Sequence, residues 1–310
     1  MVERLRNLQP QALGVLAALV AMVLFLSIAT PHFRTAENIF SVFRNFSFVA
    51  ILAIGETLVI ISAGIDLSVG SILGLSGCLA ALAMRTGWPD VAAVAAGLLC
   101  GTLLGLTNGL LVTAVKLPPF IVTLGTLSIA RGLAYVVTRG WPISGFSDGF
   151  MWLGQGSLWL VPVPVVVMFG FAGLVSFLLR HTVWGRQLYA IGGNEEAARL
   201  SGVHVSRVKV IAYALSGFSA ALTGLLLMAR LGVSQSVAGQ GYELDAIAAS
   251  VIGGTSLMGG QGTVSGVIIG AAVMGVLRNG LVLLGVSAFW QQVALGAVII
   301  LAVAMDRLRS

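Results

Sequence analysis

The sequence predicts an all-α polytopic membrane protein with about ten transmembrane helices, and three observations predict it. Hydrophobic residues make up 58% of the 310-residue chain and charged residues only 9%, against about 25% charged in a soluble domain. Apolar runs of roughly 20 residues, long enough to cross a hydrocarbon core, recur from end to end. Forty glycines are spread through those runs, as in closely packed membrane helices, whereas the short alternating segments of a β-barrel are absent. At a mean hydropathy of +1.02, no soluble fold could hide this much apolar surface.

Taken in order, the predicted spans cover residues 12–30, 45–63, 68–84, 91–115 and 119–138, then 161–180, 208–229, 243–258, 263–284 and 288–305, in one transmembrane domain over 1–310. The first run, Ala12 to Ala29, is followed by TPHFR. It lacks the short apolar core and small-residue cleavage site of a removable signal, so it is a retained span. With the N-terminus inside, the inner side holds Arg4, Arg6, Lys116, Arg180, Arg186, Arg199, Arg207, Lys209, Arg307 and Arg309. Seven basic residues lie elsewhere: Arg34, Arg44, Arg85, Arg131, Arg139, Arg230 and Arg278. Short loops near span ends set orientation, and the cluster at 180–209 therefore fixes both termini on the cytoplasmic side.

Four irregular segments interrupt the apolar runs. In Gly64-Ile65-Asp66-Leu67-Ser68-Val69-Gly70, glycines allow a sharp turn, while Asp66 and Ser68 can satisfy backbone donors and cap the next helix. In Leu117-Pro118-Pro119-Phe120, Pro118 forces Leu117 extended and Pro119 suits a first helical turn. Residues 140–160 read as an external loop with Trp141, Trp152 and Trp159 at interface depth. The run 253–262, GGTSLMGGQG, is no regular membrane helix, so protein must shield it or it must lie at the surface. Gly64, Gly70, Gly253, Gly254, Gly259 and Gly260 are the candidate hinges.

The polar stretch from Arg180 to Lys209 carries five of the 17 basic residues. Its middle predicts a short helix capped by Asn194, with Glu195 and Glu196 in the first turn, where the helix dipole favours anions, and Gly202 closing it. Such a helix on a basic platform between spans is a docking surface for a soluble partner.

Several chemistries are excluded. Neither lysine, Lys116 nor Lys209, follows a phosphate-binding glycine loop, so this chain hydrolyses no nucleotide and binds no cofactor. Metal-ligand spacing and nucleophile motifs are absent. Cys78 and Cys100 are small core residues, and His32, His181 and His204 are scattered. The net charge of +6 sits at span ends without interleaved aromatics, which excludes nucleic acid as a partner.

Inside the spans, Glu56 and Arg131 stand out, because a charge at that depth costs on the order of 2.5–3.5 kcal/mol and must face protein or a wet cavity. They are expected to couple, either as a polar gate or as a structural ion pair. Asn108, Thr123 and Thr126 are further path candidates, set against simple bonding to their own helices, and Phe120 is a gate or an interfacial anchor. Glu243 and Asp245 are expected to cap the eighth span or to meet an external partner.

Glu196-Ala197-Ala198-Arg199-Leu200-Ser201-Gly202 resembles the E-A-A-x-x-x-G segment of ATP-binding-cassette importer permeases, without the hydrophobic-plus-proline tail of the maltose type. GETLVIISAGIDLSVGSILGLSG from Gly55, LPPFIVTLGTLSIARGLAYVVT from Leu117, GYELDAIAASVIGGTSLMGGQGT from Gly241 and NGLVLLGVSAFWQQVALGAVIILAV from Asn279 are similar to the ribose/xylose-type sugar permeases, over about Asn38 to Arg307. The resemblance implies a type II importer-like fold with an inverted repeat of about five helices per half. It implies a homodimer in the bacterial inner membrane, a periplasmic sugar-binding protein outside, and a cytoplasmic ATPase that holds the ATP and Mg and docks at loop 181–207. Nucleoside or branched-chain amino acid import on the same architecture is the first alternative. An ion-driven secondary carrier is the second, and Glu56 would have to be its ion ligand.

Overall fold

The computed structural model describes residues 10–307. Helix α1 (Pro10–Ala29) leads through a 3₁₀ turn (Pro31–Arg34) into α2 (Ala36–Ile61), followed by α3 (Val69–Arg85), α4 (Asp90–Thr113) and α5 (Pro119–Thr138). The next segment carries strand β1 (Ile143–Ser144), α6 (Asp148–Gln155), and β2 (Ser157–Leu158) paired antiparallel with β3 (Val161–Pro162). Then come α7 (Val163–His181), α8 (Val183–Gly193), α9 (Glu195–Leu200) and α10 (Val205–Leu231). Strand β4 (Val233–Ser234) pairs antiparallel with β1, and α11 (Tyr242–Ile252), α12 (Val264–Leu283) and α13 (Ala288–Arg307) complete the chain. Arg4, Arg6 and Arg309, used above for orientation, lie outside the described residues.

Six helices, α2, α4, α5, α7, α10 and α12, are long and apolar enough to cross a membrane, and α1, α3 and α13 hold shorter apolar stretches. The expected span 243–258 is cut to the 11 residues of α11, because Gly253 and Gly254 follow and Gly254 is left-handed at φ +89°. Before α11 the chain runs non-helically from Gln235 to Gly241. That stretch of the chain is therefore a run of turns in one half and helical in the other.

Helix α2 is the centre. From Phe46 to Ile61 every residue is buried, the signature of a helix apolar on all sides, and α10, α11, α12 and α7 surround it. It starts earlier than its apolar run because Thr35 caps it, the hydroxyl accepting from Asn38 N at 3.3 Å, with Glu37 in the first turn. The second packing seam joins α4 to α10 through glycines. A Cβ on Gly105 would lie 2.2 Å from the Tyr213 carbonyl oxygen, and one on Gly217 would lie 2.1 Å from that of Gly101. Backbones this close are the reason for small residues in membrane helices.

Two expected loops contain helices. Ser147 caps α6 inside the 140–160 segment by accepting from Phe150 N at 3.0 Å, while Trp141, Trp152 and Trp159 stay exposed. Thr182 caps α8 in the same way, accepting from Gly185 N at 3.2 Å.

Candidate functional site

The break between α2 and α3 organises the interior. Gly64 N donates back to Val59 O at 3.0 Å and ends α2, but the left-handed residue of this turn is Ala63 at φ 59°. Gly64 is required for space, since a Cβ there would lie 2.6 Å from the Tyr213 hydroxyl. The chain then doubles back, so that Asp66 N donates to Glu56 Oε1 at 3.0 Å. Asp66 Oδ1 accepts from Ser68 N at 3.0 Å and from the Ser68 hydroxyl, and Oδ2 accepts from the Ser216 hydroxyl at 3.1 Å. Asn108 Nδ2 donates to Ser68 Oγ at 2.9 Å, and Thr126 Oγ1 donates to Asn108 Oδ1 at 2.6 Å. Thr123 Oγ1 reaches the Ile65 carbonyl at 3.3 Å.

Six of the sequence-selected residues, Glu56, Asp66, Ser68, Asn108, Thr123 and Thr126, thus meet in one buried network. It ties α2, α4, α5 and α10 to the break. Sequence reading missed Ser216 and Tyr213, although the polar residues of ALSGFSAALTG on an apolar span were a signal. Among the described residues, Glu56 Oε2 and the Tyr213 hydroxyl have no hydrogen-bond partner. Neither carboxylate of the network has an ion-pair partner among the described residues.

Arg131 is elsewhere, and the expected Glu56–Arg131 pair does not form. Its Nη1 donates to the carbonyls of Ser236 and Ala238 and its Nη2 to that of Gly70 at 3.4 Å. Carbonyls of the turns before α11, which no backbone N–H uses, take the role a carboxylate was expected to play. Phe120, 54% exposed, lies outside the network. Asp245 pairs with Arg278 of α12 at 2.8 Å.

The candidate hinges divide by geometry. Gly254, Gly259 and Gly260 are left-handed, with φ of 89°, 88° and 72°, a conformation glycine enters at no steric cost. Gly70 and Gly253 are contact points, their Cβ positions lying 2.2 Å from Glu243 Oε2 and 2.4 Å from the Gly266 carbonyl oxygen.

On the loop 181–207, Asn194 Oδ1 accepts from Ala197 N at 2.9 Å, and Glu195 opens the six-residue α9. Gly202, at φ +85°, closes the turn, with Gly202 N donating to Arg199 O and Val203 N to Ala198 O, both at 3.0 Å. Of its residues only Ala198 is buried; Leu200 is 81% exposed. Glu195 accepts from Arg199 at 2.9 Å and from Lys209 Nζ at 2.6 Å, while Glu196 lies 3.3 Å from Arg199. A cavity of about 830 Å³ separates α9 from the α4–α5 turn, with Lys116, Pro118, Arg207 and Lys209 in its wall. Helix α8 anchors this platform: Tyr189 donates to the Gly262 carbonyl at 2.7 Å, and Gly260 N donates to Ile61 O at 2.9 Å beside Gly192.

The hydrogen bond and charge of Lys209 hold the Glu195 carboxyl below its ordinary value of 4.5. A depressed carboxylate contributes stability above its unfolded value and loses it as pH falls through the lower folded value. The stability that Glu195 lends to α9 is therefore expected to be flat from neutral pH down to about 5 and to fall only in stronger acid. Lys209→Gln should raise the titration midpoint of the Glu195 carboxyl towards its ordinary value, as read by a pH titration of that carboxyl.

A model of the family described as branched-chain amino acid transport system/permease component matches residues 38–303. The chain belongs to this family. The matched range contains the whole buried network and α9. Among this permease's relatives, the ribose import permease protein of Bacillus subtilis (strain 168) is 46% identical over 302 residues, covering 97% of this chain and 94% of the relative. The ribose import permease protein of Escherichia coli (strain K12) is 45% identical over 296 residues, 94% of this chain and 92% of the relative. The xylose transport system permease protein of the same strain is 37% identical over 365 residues, 97% and 93%.

Proposed function

We propose that this chain is the membrane-spanning permease subunit of an ATP-driven, binding-protein-dependent importer of a ribose-type monosaccharide. The observation that carries the reading is identity of 45–46% to two ribose import permeases over nearly the full length of both chains. The family description mentions branched-chain amino acids, but whole-length identity to named relatives is the narrower guide to substrate. The chain is no enzyme: a cytoplasmic cassette ATPase supplies hydrolysis with its own ATP and Mg, and a periplasmic receptor delivers the sugar.

Two copies form the transporter in the bacterial inner membrane, with both termini cytoplasmic. Ten crossings follow if the turn segment before α11 and α11 together make the eighth. The breaks at 62–68 and 235–241, each preceding a helix, support an inverted repeat, and α9 is the element that docks on the ATPase. Reconstitution in liposomes tests the reading: ribose uptake that requires ATP and the receptor is expected. Uptake driven by an ion gradient alone would replace it with the carrier reading, which the juxtaposed Glu56 and Asp66 favour.

Docking is tested at Gly202. Its left-handed backbone makes a β-branched residue cost about 1 kcal/mol or more locally, yet nothing lies within 4 Å of its Cβ position. Gly202→Val should insert normally but lose co-purification of the ATPase and receptor-stimulated hydrolysis. Normal transport by this variant would remove α9 from the coupling role.

A further inference from the structure

A cleft of about 510 Å³ opens at the end of α2 remote from α9, within the roughly 300–1,000 Å³ range of small-molecule sites. Asn38, Ser41 and Asn45 of α2 form one wall. Tyr242 and Asp245 of α11 face them, together with Arg278 and Asn279 of α12. Asn38 and Asn279 exchange reciprocal amide bonds at 3.2 and 2.8 Å. Arg278 spends only Nη2 on Asp245, at 2.8 and 3.2 Å, so among the described residues Nη1 and Nε have no protein acceptor.

Arg278 stands inside an apolar helix with its side chain 44% exposed, over an Asp245 that is 7% exposed. A guanidinium there cannot face hydrocarbon cheaply, so the cleft is wet. The ion pair leaves no net charge to attract an ionic ligand. What remains is amides and a serine hydroxyl that both donate and accept, guanidinium donors, a carboxylate acceptor, and the ring of Tyr242. That set matches a neutral molecule whose hydroxyls each donate and accept and whose C–H faces lie against an aromatic ring.

We infer that this cleft is a transient binding site for a neutral polyol of monosaccharide size, on the route from the external receptor into the permease. The inference rests on the sugar-import reading and adds a site to it. Binding here is weak by construction, because the amides already satisfy each other and must exchange partners with the ligand.

The test uses Ser41→Cys in the whole reconstituted complex, treated from the receptor side with a bulky maleimide and compared with equally treated wild type. The introduced thiol is expected to label, free D-ribose is expected to slow labelling several-fold where glycine betaine at equal osmolarity does not, and labelled complexes should lose ribose uptake. Asn45→Leu should lower uptake several-fold with receptor-stimulated ATP hydrolysis retained. Failure to label, labelling indifferent to ribose, or normal uptake by labelled complexes each overturns the site. Absence of ribose uptake by the untreated wild-type complex would instead overturn the sugar-import reading, and ribose protection of the introduced thiol remains readable without it.

Discussion

Gly105→Val is expected to yield no folded permease. The Cβ position lies 2.2 Å from the Tyr213 carbonyl oxygen and 3.0 Å from Gly217 N, both backbone atoms that cannot rotate away. Gly101 and Gly109 repeat the contact on either side, at 2.5 Å from the Gly217 carbonyl oxygen and 2.8 Å from the Val210 Cα. A side chain at the middle position must push α4 off α10, and the whole seam opens together. Overpacking a core commonly costs about 1–3 kcal/mol; a β-branched residue against fixed backbone belongs at the top of that range or above it. Gly105→Ala should fold with a lowered melting temperature. Gly125→Ala, whose Cβ position meets nothing within 4 Å, should match wild type. The readout is thermal size-exclusion of detergent-solubilised protein. A monodisperse Gly105→Val with wild-type melting would show that the seam is slack.

Much of this architecture was legible because membrane helices announce themselves by hydropathy, and each expected span overlaps an observed helix. The ends were less legible. Thr35 extends α2 with a cap that lies outside the apolar run, and Ser147 and Thr182 build helices where only polar loops were expected. Capping uses one hydroxyl and leaves no periodic trace. Where the cap was recognised, at Asn194 with Gly202 closing, the bonds and the left-handed φ are as the residues imply.

For the site, residue type was legible and partnership was not. Polar residues on apolar spans picked out Asn108, Thr123, Thr126 and Glu56, and the network gathers all four with the break. Arg131 was matched to the wrong acceptor, since the free backbone carbonyls of a run of turns have no signature in sequence. The spacing of Gly97, Gly101, Gly105 and Gly109 is visible, but the helix that fills the groove is not.

Asp66→Ala is expected to prevent assembly, while Asp66→Asn is expected to fold. The alanine variant removes the acceptors of Ser68 N, the Ser68 hydroxyl and the Ser216 hydroxyl, all in residues that are fully buried. Each orphaned buried donor costs about 1–3 kcal/mol. Hydroxyls can turn to other acceptors, so the total is on the order of 3–6 kcal/mol, a large share of the 5–15 kcal/mol typical of a folded domain. The loss spreads, because Asn108 hangs on the same Ser68 hydroxyl and Thr126 hangs on Asn108. Asparagine keeps the Ser68 bonds through Oδ1, and its Nδ2 can donate to the Ser216 oxygen instead of accepting from it. It forfeits only the attraction of a carboxylate for the start of α3, about 0.3–1 kcal/mol. Membrane abundance and melting temperature separate the two variants, and transport by Asp66→Asn separates a lock from an ion site. Retained uptake assigns Asp66 to holding the break in shape; a well-folded Asp66→Asn without uptake assigns its charge to the transport step.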